Sequence, residues 1–146
     1  MKLDPDDALA RLAAHDHGIL CTLHAERGVD AVPVTYAIDE YGYVGVPVDT
    51  VKPKASAHLQ RQRNLENDPR ATLLGEQWDR DDWSQLWWVR AELRWQGNDP
   101  GREQALAALL GERYPQYRDQ PFSRILVFNI VGVTGWAASA SLPAQR

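Results

Sequence analysis

The sequence contains almost no cysteine and no long apolar segment. Cys21 is the only cysteine among 146 residues, so no disulfide can form within the chain. Such usage is typical of proteins in a reducing compartment. No apolar run approaches the roughly 20 residues of a membrane helix, and the acidic stretch from Met1 to Asp7 lacks the apolar core of a secretory signal. We therefore expect a cytoplasmic protein with no membrane partner.

The residue sets that catalyse without a cofactor are also missing. There is no glycine-rich phosphate loop of the Walker or dinucleotide type, and Ser84 lacks the flanking glycines of a nucleophile elbow. Cys21 alternates with apolar residues, as a buried and unreactive thiol does. No further cysteine or histidine pair completes a site with His15 and His17, so we predict no metal site. The sequence predicts no catalytic side chain.

Positive charge is scarce overall but locally concentrated. The net charge of −4 at pH 7 argues against a nucleic-acid partner. Between residues 52 and 70, five basic residues (Lys52, Lys54, Arg61, Arg63, Arg70) stand against two acidic ones (Glu66, Asp68). This basic island suits a small anionic ligand better than a polymer; a solvated helix face is the alternative. The ligand is favoured because both lysines flank a stiffening Pro53 and precede a predicted helix, whose first N–H groups attract anions.

The apolar pattern predicts a mainly β fold. Strands are expected at 19–23, 29–38, 41–48, 70–78, 85–95 and 125–136, and helices from Pro5 to about Ala14 and at about 55–66 and 101–113. Asp4 is the predicted N-cap of the first helix, and Asp99 or Asn98 that of the last. Short connections between six strands favour an antiparallel barrel with peripheral helices. We predict one domain over residues 1–137 and a frayed tail over 138–146.

Two strands carry the most specific patterns. The last strand is apolar at both alternating positions, which predicts burial on both of its faces and favours a homodimer. Four of the six tryptophans lie between Trp78 and Trp88. Trp87 shares its face with apolar residues and is predicted to be core, whereas Trp88 shares its face with Arg90 and is assigned to a dimer or cofactor surface. Packing of Trp88 against a helix is the alternative.

Several sequence stretches together resemble a known superfamily. They are Val32-Pro33-Val34-Thr35-Tyr36, Lys52-Pro53-Lys54, Arg61-Gln62-Arg63-Asn64, Asn67-Asp68-Pro69-Arg70-Ala71-Thr72-Leu73-Leu74, Asp81-Asp82-Trp83-Ser84-Gln85-Leu86-Trp87-Trp88-Val89-Arg90-Ala91 and Gly135-Trp136. The chain resembles the flavin-binding split-barrel proteins, the superfamily of pyridoxamine 5′-phosphate oxidase. It is most similar to the branch of oxidoreductases that use the deazaflavin coenzyme F420.

The resemblance implies a six-stranded antiparallel split barrel that forms a homodimer with a cofactor site at the subunit interface. It implies hydride transfer between F420 and a small unsaturated or conjugated substrate, with FMN as the alternative cofactor. Non-catalytic binding of a flavin-like or tetrapyrrole ligand is a further alternative. The cofactor contacts implied by the resemblance are Pro33, Val34, Thr35, Tyr36, Thr50, Lys52, Lys54, Arg61, Asn64 and Trp88.

Two departures from the superfamily pattern narrow the expected activity. Relatives in this branch carry Thr and Arg early in the second helix, where this chain has Ala57 and His58, so the positive field at the site is thinner. The segment after Trp136 lacks the arginine–histidine motif of true pyridoxamine-phosphate oxidases. We therefore do not expect oxidation of that vitamer.

Overall fold

A computed structural model describes residues 1–49 and 56–139. The helices are α1 (Pro5–Ala14), α2 (Ser56–Asn67) and α3 (Pro100–Arg113), with 3₁₀ turns at Trp83–Gln85 and Pro115–Tyr117. The strands are β1 (Gly18–His24), β2 (Gly28–Val34), β3 (Ala37–Ile38), β4 (Tyr43–Asp49), β5 (Arg70–Gln77), β6 (Trp87–Trp95) and β7 (Phe122–Ala137). No helix in these residues is long and apolar enough to cross a bilayer.

The seven strands form one antiparallel sheet in the order β2-β1-β5-β6-β7-β4-β3. Its two edge strands, β2 and β3, are joined by only Thr35 and Tyr36. The sheet must therefore curl until its edges adjoin at this corner, which gives a barrel that stays open along the rest of β2. The prediction of a mainly β protein with an antiparallel sheet and peripheral helices is confirmed.

The expected strand at 29–38 divides into β2 and β3, so the sheet has seven strands rather than six. The break has a local cause. The Tyr36 side chain turns into the core, where its hydroxyl donates to the carbonyl of Leu12 at 2.5 Å. The hydroxyl of Thr35 lies 3.0 Å from that of Tyr117, beyond α3. These two contacts hold the backbone at 35–36 out of the ladder.

Helix capping follows the sequence closely. The Asp4 carboxylate accepts the N–H of Asp6 at 3.1 Å, and Pro5 occupies the first turn of α1. In the same way the Asp99 carboxylate accepts the N–H of Arg102 at the start of α3. Both predicted N-caps are confirmed, with Asp99 rather than Asn98 serving α3.

The inward side chains of β6 form the centre of the core. Trp87 is 3% exposed, and Val89, Ala91 and Leu93 continue its face. From neighbouring elements they are joined by Leu20, Val44, Val46, Leu65, Leu73, Leu126 and Phe128. The prediction that Trp87 is core is confirmed.

The first part of β7 is buried on both faces, as its composition predicts. Leu126 and Phe128 enter the barrel core, whereas Ile125 and Val127 pack under α3 with Leu106 and Leu110. Since α3 covers the second face here, burial in this stretch does not call for a second subunit, contrary to the reasoning from sequence. Further along, the pairing of β6 with β7 shifts between Glu92 and Leu93, and the extra residue Val131 is 59% exposed.

Candidate functional site

The opening of the barrel lies between two strand edges that have no ladder partner among the described residues. One is the outer edge of β2, the terminal strand of the sheet. The other is the part of β4 beyond Gly45, since β3 pairs only with Val44 and Gly45. Each edge contains a proline, Pro33 and Pro47, a residue tolerated at edges because it has no N–H to pair. Unpaired N–H and C=O groups on these strands are available to a ligand in the opening.

Side chains of the β2 corner differ in what they can contact. Pro33 is exposed and Thr35 is half-buried. Val34 is buried, and Tyr36 is fully buried. Burial raises the pKa of the Tyr36 phenol, which stays neutral and bonded to α1. The Tyr36 side chain thus lies in the core, and its expected cofactor contact stays a prediction, whereas Pro33 is exposed at the edge of β2.

Asn64 holds α2 against the β1–β2 hairpin. Its side-chain amide donates to the Thr22 hydroxyl at 3.0 Å and to an Asp30 carboxylate oxygen at 2.8 Å, and its carbonyl accepts from the Gln60 amide at 2.8 Å. Arg27 completes the set with two bonds to Asp30 at 2.8 and 3.0 Å. We call these five residues the Asn64 clamp. Within it, both side-chain amide hydrogens of Asn64 have acceptors. Asn64 is thus a positioning residue for α2, and its expected contact with the cofactor is not favoured.

The two arginines of α2 lie in opposite environments. Arg61 is buried beside Leu65, and its removal from water lowers the pKa of its guanidinium. Arg63 is exposed and donates to the Gln60 side-chain oxygen at 3.0 Å. Arg61 therefore does not belong to a fully solvent-exposed basic face of α2. Because a guanidinium stays charged even after such a shift, Arg61 brings positive charge to the inner side of α2.

The loop with the predicted phosphate ligands lies outside the described residues. Thr50, Lys52 and Lys54 belong to it. The described chain leaves the sheet at Asp49, the end of β4, and resumes at Ser56, the start of α2. Asp49 ends β4 on the part of that strand beyond Gly45, which β3 does not pair. The predicted role of the loop stays a prediction.

Trp88 lies on the outer face, the side of β1, β5, β6 and β7 turned away from the core. It is half-buried, with the Arg90 guanidinium 5.4 Å from its ring centroid, and it pairs with Glu76 and Trp136. The predicted opposition of Trp87 and Trp88 is therefore correct. Three strand pairings separate β6 from β2, about 14 Å at the usual strand spacing. One subunit therefore does not bring Trp88 to the β2 edge.

A groove of about 340 Å³ lies on the outer face and was not foreseen from the sequence. Cys21, Leu23 and Val29 form its apolar side, and Arg70 and Glu92 bring opposite charges to its rim. Burial raises the pKa of the Cys21 thiol, but the side chain is half-buried in this groove rather than fully buried as the sequence predicted. The groove depends on the register that aligns Cys21, Thr72 and Glu92 across three strands, and no single segment of sequence reveals that alignment.

Solved structures with a similar fold include proteins named for FAD or haem and proteins whose names state no ligand. A conserved hypothetical protein from Mycobacterium tuberculosis is 18% identical, covers 99% of this chain and 91% of its own, and superposes with a TM-score of 0.71. An FAD-binding protein from Mesorhizobium loti is 14% identical over 92% and 93% of the two chains, with a TM-score of 0.64. HutZ, the haem storage protein of Vibrio cholerae, is 17% identical over 91% and 94%, with a TM-score of 0.60.

At these identities the similarity establishes the fold alone. The chain has the split-barrel fold of the pyridoxamine 5′-phosphate oxidase type, as the sequence resemblance predicted. No family model matches the sequence, and no curated protein matches it either. Among the described residues, no group of three histidine, cysteine, aspartate or glutamate side chains is placed to hold a metal ion.

Proposed function

We propose that this protein binds the deazaflavin coenzyme F420 in the opening between β2 and β4 and transfers hydride to a small unsaturated or conjugated substrate. The observation that carries the proposal is the pair of unpartnered strand edges at this opening. A flavin-type ring has amide-like donors and acceptors along one side, and an unpaired strand edge presents the complementary backbone groups. FMN has the same amide-like side and is the alternative cofactor.

The chain supplies binding and orientation, while the cofactor supplies the hydride chemistry. Pro33 and the β2 backbone would hold the ring side, and the loop before α2, with Thr50, Lys52 and Lys54, would hold the phosphate. Arg61 adds positive charge from the inner side of α2. The Asn64 clamp fixes the position of α2 relative to β2, because Asn64 bonds to Asp30 on that strand.

We further propose that two copies associate through the outer face. Val29 is 63% exposed there and Val131 59%, with Trp136 also accessible. Along β6 the outer face alternates in charge through Arg90, Glu92 and Arg94. A surface with both signs can pair with a rotated copy of itself, as an isologous dimer requires. In such a dimer Trp88 of one copy could reach the opening of the other, a distance that one subunit does not span.

Cofactor titration tests the proposal. F420 and FMN are added separately to the protein while tryptophan fluorescence is recorded, and each dissociation constant is compared with that of a Lys52→Ala/Lys54→Ala variant. Loss of each charge-assisted hydrogen bond should weaken binding by about 1.5–3 kcal/mol. A Lys2→Ala/Arg118→Ala variant, which removes two exposed charges elsewhere, is the matched control. Equal affinity in wild type and the loop variant would instead support the solvated-helix interpretation.

Non-catalytic binding of a tetrapyrrole is the second candidate, favoured by His15 and His17. Their rings stack with centroids 5.6 Å apart at the end of α1. Burial is the larger cause that lowers the pKa of His15, and the charge of the neighbouring His17 is the next. The lowered pKa keeps the imidazole in the neutral form that binds iron. Haemin titration tests this candidate. A Soret shift lost in a His15→Ala/His17→Ala variant would support it, and an unchanged shift would contradict it.

A further inference from the structure

Two neighbouring tryptophans are exposed on the connection between β5 and β6. Trp78 is 57% exposed and Trp83 is 65% exposed, and their ring centroids lie 6.3 Å apart with a tilt of 40°. Isolated apolar residues on a surface need no explanation, but two adjacent indoles in water are costly and often mark a contact site. This Trp78–Trp83 pair is independent of the opening between β2 and β4.

The chain around the pair is acidic. Residues 78–83 contain three aspartates and one arginine. Asp79 accepts the N–H groups of Asp81 and Asp82, and Asp82 accepts both the N–H and the hydroxyl of Ser84. These bonds fix the connection, so the pair stands on an ordered turn that carries net negative charge.

Five other aromatic rings among the described residues have an arginine of the same chain over them. Arg90 lies over Trp88, Arg102 over Tyr43 at 4.3 Å, and Arg113 over Tyr36. In the described part of the chain, none of the cation–π contacts involves Trp78 or Trp83. The nearest cation in sequence, Arg80, faces Asp81 at 3.7 Å instead.

We propose that the Trp78–Trp83 pair binds a small quaternary ammonium compound. Indole faces attract cations through their quadrupole, and quaternary ammonium groups suit them because they have no N–H to satisfy and are weakly hydrated. The aspartates supply the complementary charge, and no cation within residues 1–49 and 56–139 lies over either ring face. Neutral aromatic ligands would gain nothing from the carboxylates.

Choline is the probe for this site, and 3,3-dimethylbutan-1-ol is its neutral control of the same shape. The protein is labelled with ¹⁵N at the indole nitrogens, and its six indole signals are assigned by single tryptophan substitutions. Choline should shift the signals of Trp78 and Trp83 saturably, and the neutral alcohol should shift them little. Equal shifts with both compounds, or shifts confined to other tryptophans, would overturn the proposal.

Conservative variants separate cation recognition from apolar contact. Trp78→Leu and Trp83→Leu should each weaken choline binding roughly two- to fivefold, the scale of one exposed cation–π contact. Phenylalanine at either position should restore part of the affinity, and Asp81→Asn should reduce it. Tyr41→Leu removes an exposed ring that Arg102 already covers and should change nothing. If the leucine variants bind choline normally, or if they change the mass of the assembly measured by light scattering, the pair is not a cation site.

Discussion

The Asn64 clamp and the outer face differ in whether their side chains have partners within the chain. Within the clamp, both amide hydrogens of Asn64 and its carbonyl have partners inside the chain. On the outer face, by contrast, Val29 of β2 and Val131 of β7 are exposed, and the charges of β6 alternate in sign. Because buried polar groups are costly unless satisfied, the clamp serves the fold, whereas the outer face leaves apolar side chains exposed in the single chain. Substitutions in the two regions should therefore affect different measurements.

The largest effect on stability is expected at the core position of β6. Trp87→Ala removes a buried indole whose Nε1 donates to Gln77 and whose ring meets His15 edge-on at 5.0 Å. The free energy of unfolding should fall by about 3–5 kcal/mol, as for other large aromatic truncations. Urea denaturation followed by circular dichroism measures it. A loss below that of Trp88→Ala would mean that the facing of β6 is reversed.

Disruption of the clamp should come next in size. Asn64→Ala leaves the buried Thr22 hydroxyl without its partner, and an abandoned buried polar group costs about 1–3 kcal/mol. Urea denaturation measures the loss. Arg63→Ala on the exposed side of the same helix is the control and should change stability by no more than about 0.5 kcal/mol. Comparable losses in both variants would show that α2 is held by other contacts.

Trp88→Ala is the corresponding test of the outer face. The variant should remain folded and lose less stability than Trp87→Ala, because Trp88 is only half-buried. Light scattering should give twice 16.5 kDa for the wild type and a lower average mass for the variant at micromolar concentration. An unfolded variant, or a wild type that is monomeric under these conditions, would contradict the assignment of this face.

The smallest expected effect concerns the stability of the fold at acidic pH. Three hydrogen bonds from the Arg70 guanidinium, followed by one from the Arg70 backbone N–H, lower the pKa of the Asp68 carboxylate to about 2. Because the folded pKa is lowered, the ionised form favours the folded state. Its contribution is present above the ordinary pKa of about 4 and is lost as pH falls through 2. Carboxyl ¹³C shifts should report this pKa, and Arg70→Ala should raise it; an unchanged value would show that the pair does not persist in solution.

Local patterns predicted much of this molecule, and long-range pairing explains what they missed. Alternation places Trp87 and Trp88 correctly, and the Asp4 and Asp99 caps follow from residues a few positions away. The break at Thr35–Tyr36 depends on Tyr117, which is 82 residues distant from Thr35. No sequence pattern reveals such a contact.

The candidate site was less predictable for the same reason. Resemblance suggested that Asn64 contacts a cofactor, but its partners Thr22 and Asp30 lie 42 and 34 residues away. Only the folded arrangement shows that the amide is already used. Coverage of β7 by α3 likewise depends on packing between elements, so two-sided burial of Ile125–Phe128 was wrongly taken as support for a dimer.

Hydrogen exchange along the two unpaired edges tests the central proposal most directly. Backbone amides at the edges of β2 and β4 should exchange readily in the free protein, because no described residue pairs with them on that side. Exchange followed by mass spectrometry, with and without saturating F420 or FMN, should show slower exchange in peptides covering residues 28–34 and 43–49 when the cofactor is bound, and little change in β5. Unchanged exchange at both edges in the presence of a cofactor that demonstrably binds would contradict the proposed site.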